Sequence, residues 1–269
     1  MTTLSAIELR DVGVRIGHKQ IVSGVNLVAP AGQLTAIVGP NGSGKSTLLK
    51  AIAGEWDHSG LISIAGRDMA ALRPWELAGL RAVLPQAATL SFPFTVLEVV
   101  RLGLTGGRSG LTGAALDMLP FEALERVDLA GFSGRFYQEL SGGEQQRVQL
   151  ARVLCQIWTP VLDGQARYLL LDEPVSSLDI KHQLGIMSIA REFADAGGGV
   201  IAIMHDLNLT AMFADKIAMM HRGRLEFDGS PAAVLTDNKV SQVFECDLRV
   251  GVTPRAGSPF VLPQSTLLS

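Results

Sequence analysis

Cysteine is almost missing from this chain of 269 residues: Cys155 and Cys246 are the only two. Two isolated thiols exclude a disulfide framework and a cysteine-built zinc site, and both are expected to be free and buried. An excess of charge of one sign is missing as well. Lys and Arg number 23 against 26 Asp and Glu, for a net charge of −3. No basic cluster forms the footprint that a phosphate backbone requires, which leaves no reason to expect a nucleic-acid partner. Long hydrophobic runs are also missing. The longest uncharged stretch, residues 20–44, is broken by Asn26, Pro30, Gly32, Gln33 and Pro40, which disqualifies it as a membrane span. Residues 1–10 hold no apolar secretion segment, so the chain is expected to stay in the cytoplasm and to need another protein to hold it at a membrane. What is present is ordinary for a globular protein with a sizeable core, 47% hydrophobic and 18% charged, and the length fits one large domain or a core with an inserted lobe.

The most informative stretch is residues 39–47, Gly39, Pro40, Asn41, Gly42, Ser43, Gly44, Lys45, Ser46 and Thr47. It fits the phosphate-binding spacing of Gly, four residues, Gly, Lys and Ser/Thr, with a buried-strand pattern before it at 34–38 and a helical pattern after it at 48–53. Gly39, Gly42 and Gly44 let the backbone curl so that its N–H groups point inward around a β-phosphate. The helix starting near Lys45 adds unpaired N–H groups and the positive end of its dipole. Lys45 reaches the β- and γ-phosphates, and Ser46 is the expected ligand to Mg²⁺, a hard ion that prefers oxygen. A turn without a ligand needs no Lys-Ser pair after its last glycine.

The flanking chain reads as mixed α/β. Residues 7–12 and 21–28 alternate like strands, 61–64 and 81–84 read as short strands, and 168–171 and 199–204 are near-continuous apolar runs of the kind buried on both faces of a parallel sheet. A helix over 180–195 separates the last two, and 216–221 and 225–227 read as further strands. Between about 87 and 160 the character changes to helical patterns at 96–104 and 114–127, separated by the glycine-rich 106–113, which suggests a helical lobe inserted into the core. Residues from 253 onward are poorly specified.

Four further signals carry chemistry. Asp172 and Glu173 end the apolar run at 169–171, where parallel α/β sheets place their ligands; after a phosphate loop, Asp172 is expected to hold Mg²⁺ through a water, and Glu173 to orient the water that attacks the γ-phosphate. Ser141 is placed as a helix N-cap, with Gly142 and Gly143 exposing helix-start N–H groups to an anion ahead of Glu144, Gln145, Gln146 and Arg147. Gln86 follows the 81–84 strand. His205 follows the strand ending at Met204, with Asp206 as the cap of the next helix.

Together these motifs resemble the ATPase subunit of ABC transporters, in the family's order and over nearly the whole chain. Residues 39–47 resemble the Walker A loop, Gln86 the Q-loop, Ser141, Gly142, Gly143 and Glu144 the signature, Asp172 and Glu173 the Walker B pair, Ser177, Leu178 and Asp179 the D-loop, and His205 the switch histidine. The resemblance implies a P-loop, RecA-like α/β core with an antiparallel β subdomain and an inserted helical subdomain at about 87–160, the whole ATPase domain running over 1–253 and a tail over 254–269. It implies ATP and Mg²⁺ as cofactors, with Ser46, Gln86 and Asp172 around the metal. Each ATP would lie between the Walker A loop of one subunit and the signature of a second in a head-to-tail dimer, with Glu173, His205 and Gln86 serving hydrolysis. Gln86 would also link the metal site to transmembrane permease subunits. One position departs from the pattern: where many members stack an aromatic residue on adenine, this chain has Ile16, with His18 nearby, which predicts weaker nucleotide affinity by the stacking share, about 0.5–1.5 kcal/mol.

Finer resemblance, carried by residues 83–86, 91–100, 156–167 and 178–183, is to ATPases of the iron-chelate and cobalamin importer group, and within it to hemin importers. That implies a peripheral protein on the cytoplasmic face of the inner membrane. Two permease subunits would be its partners there, served by a periplasmic hemin-binding protein, with ferric siderophores or cobalamin as the alternative cargo. The uncharged segment 87–95, just after Gln86, would face the permease. A soluble ABC-type ATPase acting on nucleic acid or ribosomes is the rival, but such chains carry two motif sets, a coiled coil, zinc cysteines or a basic surface.

Overall fold

The computed structural model describes residues 6–86, 90, 92–106, 108–176, 178–253 and 259–265. Ala87, Ala88, Thr89 and Ser91 of the uncharged segment, and Ser177 beside Asp179, lie outside the described residues.

The chain opens with β1 (Ala6–Ile16) and β2 (Lys19–Pro30), a hairpin longer than its sequence pattern predicts. The extra length comes from irregular pairing: register shifts after Leu9, with Asp11 at φ 51°, break the strict alternation that a pattern reading needs. There follow β3 (Leu34–Val38), α1 (Lys45–Ile52), β4 (Ser59–Ile64), β5 (Arg67–Asp68), α2 (Pro74–Leu80) and β6 (Arg81–Leu84). Three helices come next, α3 (Val96–Gly106), α4 (Ala114–Arg126) and α5 (Gly142–Gln156). The chain then forms a small hairpin, β7 (Val161–Leu162) and β8 (Gln165–Ala166), and returns to the sheet as β9 (Tyr168–Asp172). It continues through α6 (Ile180–Asp195), β10 (Gly199–Ile203), α7 (Leu207–Phe213), β11 (Lys216–His221), β12 (Arg224–Gly229), α8 (Pro231–Val234) and α9 (Asp237–Phe244).

Two principal sheets result. β2, β1, β4 and β5 form an antiparallel sheet in that order, and β12, β11, β3, β10, β9 and β6 form the central one, in which every neighbouring pair but the edge pair β11–β12 is parallel. Every residue of β3, β9 and β10 is buried, as the continuous apolar runs predict. Alternation divides their side chains between two cores. Leu34, Ala36, Leu169, Leu171, Val200 and Ala202 face the layer holding α3 to α7, whereas Ile37, Tyr168, Leu170, Ile201 and Ile203 face α1 and the antiparallel sheet. The fold is therefore three-layered, with the parallel sheet in the middle, and it is the mixed α/β fold with an added antiparallel sheet that the resemblance implies.

Of the two cysteines, Cys155 is buried on α5, but Cys246 is exposed, contrary to expectation. It lies just past α9, where Glu245 takes a left-handed conformation, φ 54°, and turns the chain outward.

Candidate active site

The strand register decides which residues meet. Leu84 of β6 lies opposite Leu171 of β9, Asp172 opposite Ile203 of β10, and Ile203 opposite Ile37 of β3. The chain therefore leaves four parallel strands at the same edge, and Gln86, Glu173, His205 and Gly39 come from widely separated stretches to one place.

At that edge the Glu173 carboxylate is the centre of the contacts. Gln86 Nε2 donates to its Oε2 at 2.8 Å, and His205 Nε2 lies 2.7 Å from its Oε1. Gln146, from the first turns of α5, donates to the Glu173 backbone carbonyl at 3.1 Å. Glu173 itself is at φ 52°, a left-handed conformation costing an L-residue about 1–2 kcal/mol. Strain of that kind collects where the surrounding structure fixes a side chain for a task.

The phosphate loop packs against the next strand. A Cβ at Gly39, where φ is 146°, would lie 2.1 Å from the carbonyl oxygen of Met220, so only glycine fits. Gly223 N–H donates to Ser43 O at 3.0 Å, and Ser23 N–H to Gly223 O at 2.8 Å, which ties the loop through the β11–β12 turn to β2. Gly44 is the N-cap of α1. Lys45 is buried, and its Nζ donates to the carbonyls of Gly39 and Pro40, at 2.9 Å each. Burial lowers its pKa, opposed by the nearby negative charges of Glu173 and Asp172. Ser46 Oγ donates to Asp172 Oδ1 at 3.2 Å. Asp172, buried at the end of β9, is raised by burial first; the Ser46 hydrogen bond lowers it and the Glu173 charge raises it further.

Other predicted residues stand apart. Ser141 caps α5 in a reciprocal box: its backbone N–H and its hydroxyl donate to Glu144 Oε2 at 2.8 and 2.7 Å, while the Glu144 N–H donates back to Ser141 Oγ at 3.4 Å. Asp179 caps α6 by accepting from the His182 N–H at 3.0 Å. Ser141, Gly142, Gly143, Glu144 and Asp179 line one surface concavity of about 380 Å³. Among the described residues no hydrogen bond joins them to residues 39–47. Ile16 sits at the tip of the β1–β2 hairpin, opposite Lys19, and is 39% exposed. Gln146 was not singled out from the sequence as a site residue; its only signal is its place inside the 140–147 motif.

Residues 22–176 match the family described as ABC transporter. The chain belongs to the ABC transporter family. Relatives of this ABC ATPase include a hemin import ATP-binding protein HmuV from Mesorhizobium japonicum, 65% identical over 97% of this chain and 99% of that one. Another protein of that name, from Rhizobium meliloti, is 61% identical over 97% of this chain and all of its own length, 100%. Among solved structures, a dimeric bacterial ABC transporter cassette superposes with a TM-score of 0.71 at 28% identity, covering 84% of this chain and 98% of that one. As an ABC ATPase the chain binds and hydrolyses ATP. Among the described residues no helix is long and apolar enough to cross a membrane.

Proposed function

We propose that this chain is the ATP-hydrolysing subunit of an importer that brings hemin across the inner membrane. The observation that carries the cargo is the 65% identity over 97% of the chain to a hemin import ATP-binding protein. The chain then works on the cytoplasmic face, held there by two permease subunits that receive hemin from a periplasmic binding protein. It closes head to tail with a second copy of itself, in keeping with the dimeric cassette it resembles.

The contacts around Glu173 and Lys45 support the following residue roles. Lys45 and the loop N–H groups hold the β- and γ-phosphates, since the ammonium already sits among loop carbonyls that a phosphate oxygen would replace as its partners. Glu173 accepts a hydrogen bond from the attacking water and takes its proton. Gln86 and His205 orient that carboxylate, His205 Nε2 at 2.7 Å from one oxygen and Gln86 Nε2 at 2.8 Å from the other. In the course of closure His205 turns to the γ-phosphate. Ser141, Gly142, Gly143, Glu144 and Asp179 form the face presented to the ATP of the partner subunit. Ile16 meets adenine.

The donor set also suits Mg²⁺. Ser46 Oγ and Asp172 Oδ1 are hard oxygens 3.2 Å apart. Among the described residues no group of three or more His, Cys, Asp or Glu side chains could hold a metal by itself. One carboxylate, one hydroxyl and Gln86 fit an ion that keeps phosphate oxygens and water as its remaining ligands. When bound, the ion neutralises charge developing on the phosphates. The domain reading, an ATPase unit over 1–253 with a helical part at about 87–160 and a tail over 254–269, belongs to the same proposal.

The test is growth on hemin as sole iron source in a strain lacking this gene, complemented with wild type or with Glu173→Gln. Rescue by wild type alone is expected. A deletion strain that grows normally on hemin but fails on a ferric siderophore, or loses cobalamin uptake, would move the cargo and leave the ATPase intact.

A further inference from the structure

Glu173 stands in a backbone conformation that its own sequence opposes. The residue after it is Pro174, whose ring crowds the preceding backbone and presses it toward an extended φ of about −120°. Glu173 is instead left-handed, at φ 52°. The peptide unit joining the two must therefore be held. Its carbonyl oxygen accepts from the N–H of Ser176 at 3.4 Å and from Ser176 Oγ at 3.2 Å, both within the same turn, and from Gln146 Nε2 at 3.1 Å. Among these partners Gln146 alone comes from a distant segment, 27 positions earlier in the chain.

The donor is fixed on both sides. Gln146 is half-buried in the first turns of α5, between two neighbours that also hold backbone carbonyls. Gln145 Nε2 donates to Tyr137 O at 3.1 Å and to Leu140 O at 3.3 Å, and Arg147 Nη1 donates to Val127 O at 3.1 Å and to Asp128 O at 3.0 Å. Beyond them Val148, Leu150, Ala151 and Leu154 anchor the helix in the core. The amide of Gln146 is thus offered to Glu173 from a rigid support.

That bond also sets the direction of the Glu173 side chain. Asp172 is locked at the end of β9, opposite Ile203, so rotation about the Glu173 N–Cα bond swings Cβ and the carbonyl together. Holding the carbonyl holds the line along which the carboxylate leaves the backbone. The two side-chain partners have other tasks once ATP is bound, His205 at the γ-phosphate and Gln86 at the metal, and the backbone bond is independent of both.

We propose that Gln146 is a positioning residue for hydrolysis, which holds the strained Glu173 backbone from α5 and so aims the carboxylate at the attacking water. This rests on the reading of Glu173 as the group that takes the water's proton.

The experiment is steady-state hydrolysis of MgATP by the full-length chain. Wild type is compared with Gln146→Met, which keeps the length and removes the donor, with Gln146→Glu, which puts an acceptor in its place, and with Glu173→Gln. The expected kcat of Gln146→Met is lower by roughly two- to twelvefold, the scale of one hydrogen bond, at unchanged KM. Gln146→Glu loses at least as much. Calorimetric titration with MgATP then compares Glu173→Gln with the double variant Glu173→Gln/Gln146→Met, and equal affinities are expected, because Gln146 acts on the carboxylate and not on nucleotide binding. A wild-type kcat in either Gln146 variant, a loss carried by KM, or a weaker affinity in the double variant would overturn the proposal, the last two by exposing a structural lesion of the binding site. If Glu173→Gln is inactive while the Gln146 variants are unimpaired, the role of Glu173 stands and only this inference goes. A Glu173→Gln that hydrolyses at the wild-type rate removes both.

Discussion

Two glycines of the phosphate loop, three positions apart, should respond in different ways to the same substitution. Gly42 has φ 76°, and an added Cβ meets nothing within 4 Å. Gly42→Ala therefore costs only the left-handed backbone, about 1–2 kcal/mol. Gly39 has φ 146°, and its added Cβ would sit 2.1 Å from Met220 O and 3.0 Å from Ser43 Oγ. That backbone region is nearly reserved to glycine and costs an alanine about 1–3 kcal/mol. The Met220 carbonyl must also retreat, but Met220 belongs to β11, locked in parallel to β3 with Met219 opposite Val38. Overpacking against a structure that cannot give adds about 1–3 kcal/mol. The expected loss for Gly39→Ala is thus about 4 kcal/mol, a large part of a total stability on the order of 5–15 kcal/mol. Urea unfolding of wild type and both variants, followed by tryptophan fluorescence, measures the difference directly. At this chain length a loss of that size lowers the melting temperature by roughly 8–16 °C. A Gly39→Ala midpoint within about 1 kcal/mol of the Gly42→Ala value would refute the clash, since backbone strain alone would then suffice.

The thiols give a second test, with a pH sign. Burial pushes Cys155 up to about 12 from an ordinary value of 9.0, while Cys246 is exposed, so an aromatic disulfide reagent should titrate one thiol in the native chain and both only after unfolding. Because the unfolded chain releases the Cys155 proton first, folding stability should fall as pH rises from 9.0 toward about 12; a Cys155→Ala variant with the same alkaline slope as wild type would show that another group is responsible. At the hairpin tip, Ile16→Tyr should tighten ATP binding by about 0.5–1.5 kcal/mol, roughly two- to twelvefold in affinity, through aromatic stacking that isoleucine lacks. Calorimetric titration with unchanged affinity would place adenine away from Ile16.

The phosphate loop, the paired carboxylates after an apolar strand, and the capped start of α5 are local properties, fixed by residue type and spacing over fewer than ten residues each. They were legible because backbone curl, helix capping and strand burial are decided by neighbours in sequence. The cap of α5 is the clearest case: Ser141 and Glu144 satisfy each other over three residues, and nothing distant is needed. The strands of the β1–β2 hairpin were underestimated in length because a bulge at Asp11 interrupts the two-residue period on which such a reading depends. Cys246 is exposed against the sequence expectation because a thiol's burial depends on where the chain turns after α9.

What only the tertiary structure decided is which of these local pieces touch. No spacing rule brings Gln86 and His205, 119 positions apart, onto the two oxygens of one glutamate; parallel strand register does, because Leu84, Asp172 and Ile203 reach the same edge of one sheet. The same holds for Asp128, which follows α4, Arg147 on α5 and His182 on α6, far apart in sequence and close in space. Their meeting depends on how α4, α5 and α6 pack over the sheet, a sum of many weak apolar contacts that is not written in any short stretch of chain. The sequence by itself determined a nucleotide-binding ABC ATPase and named its chemical groups. The packing of the sheet and its helices determined how those groups are aimed.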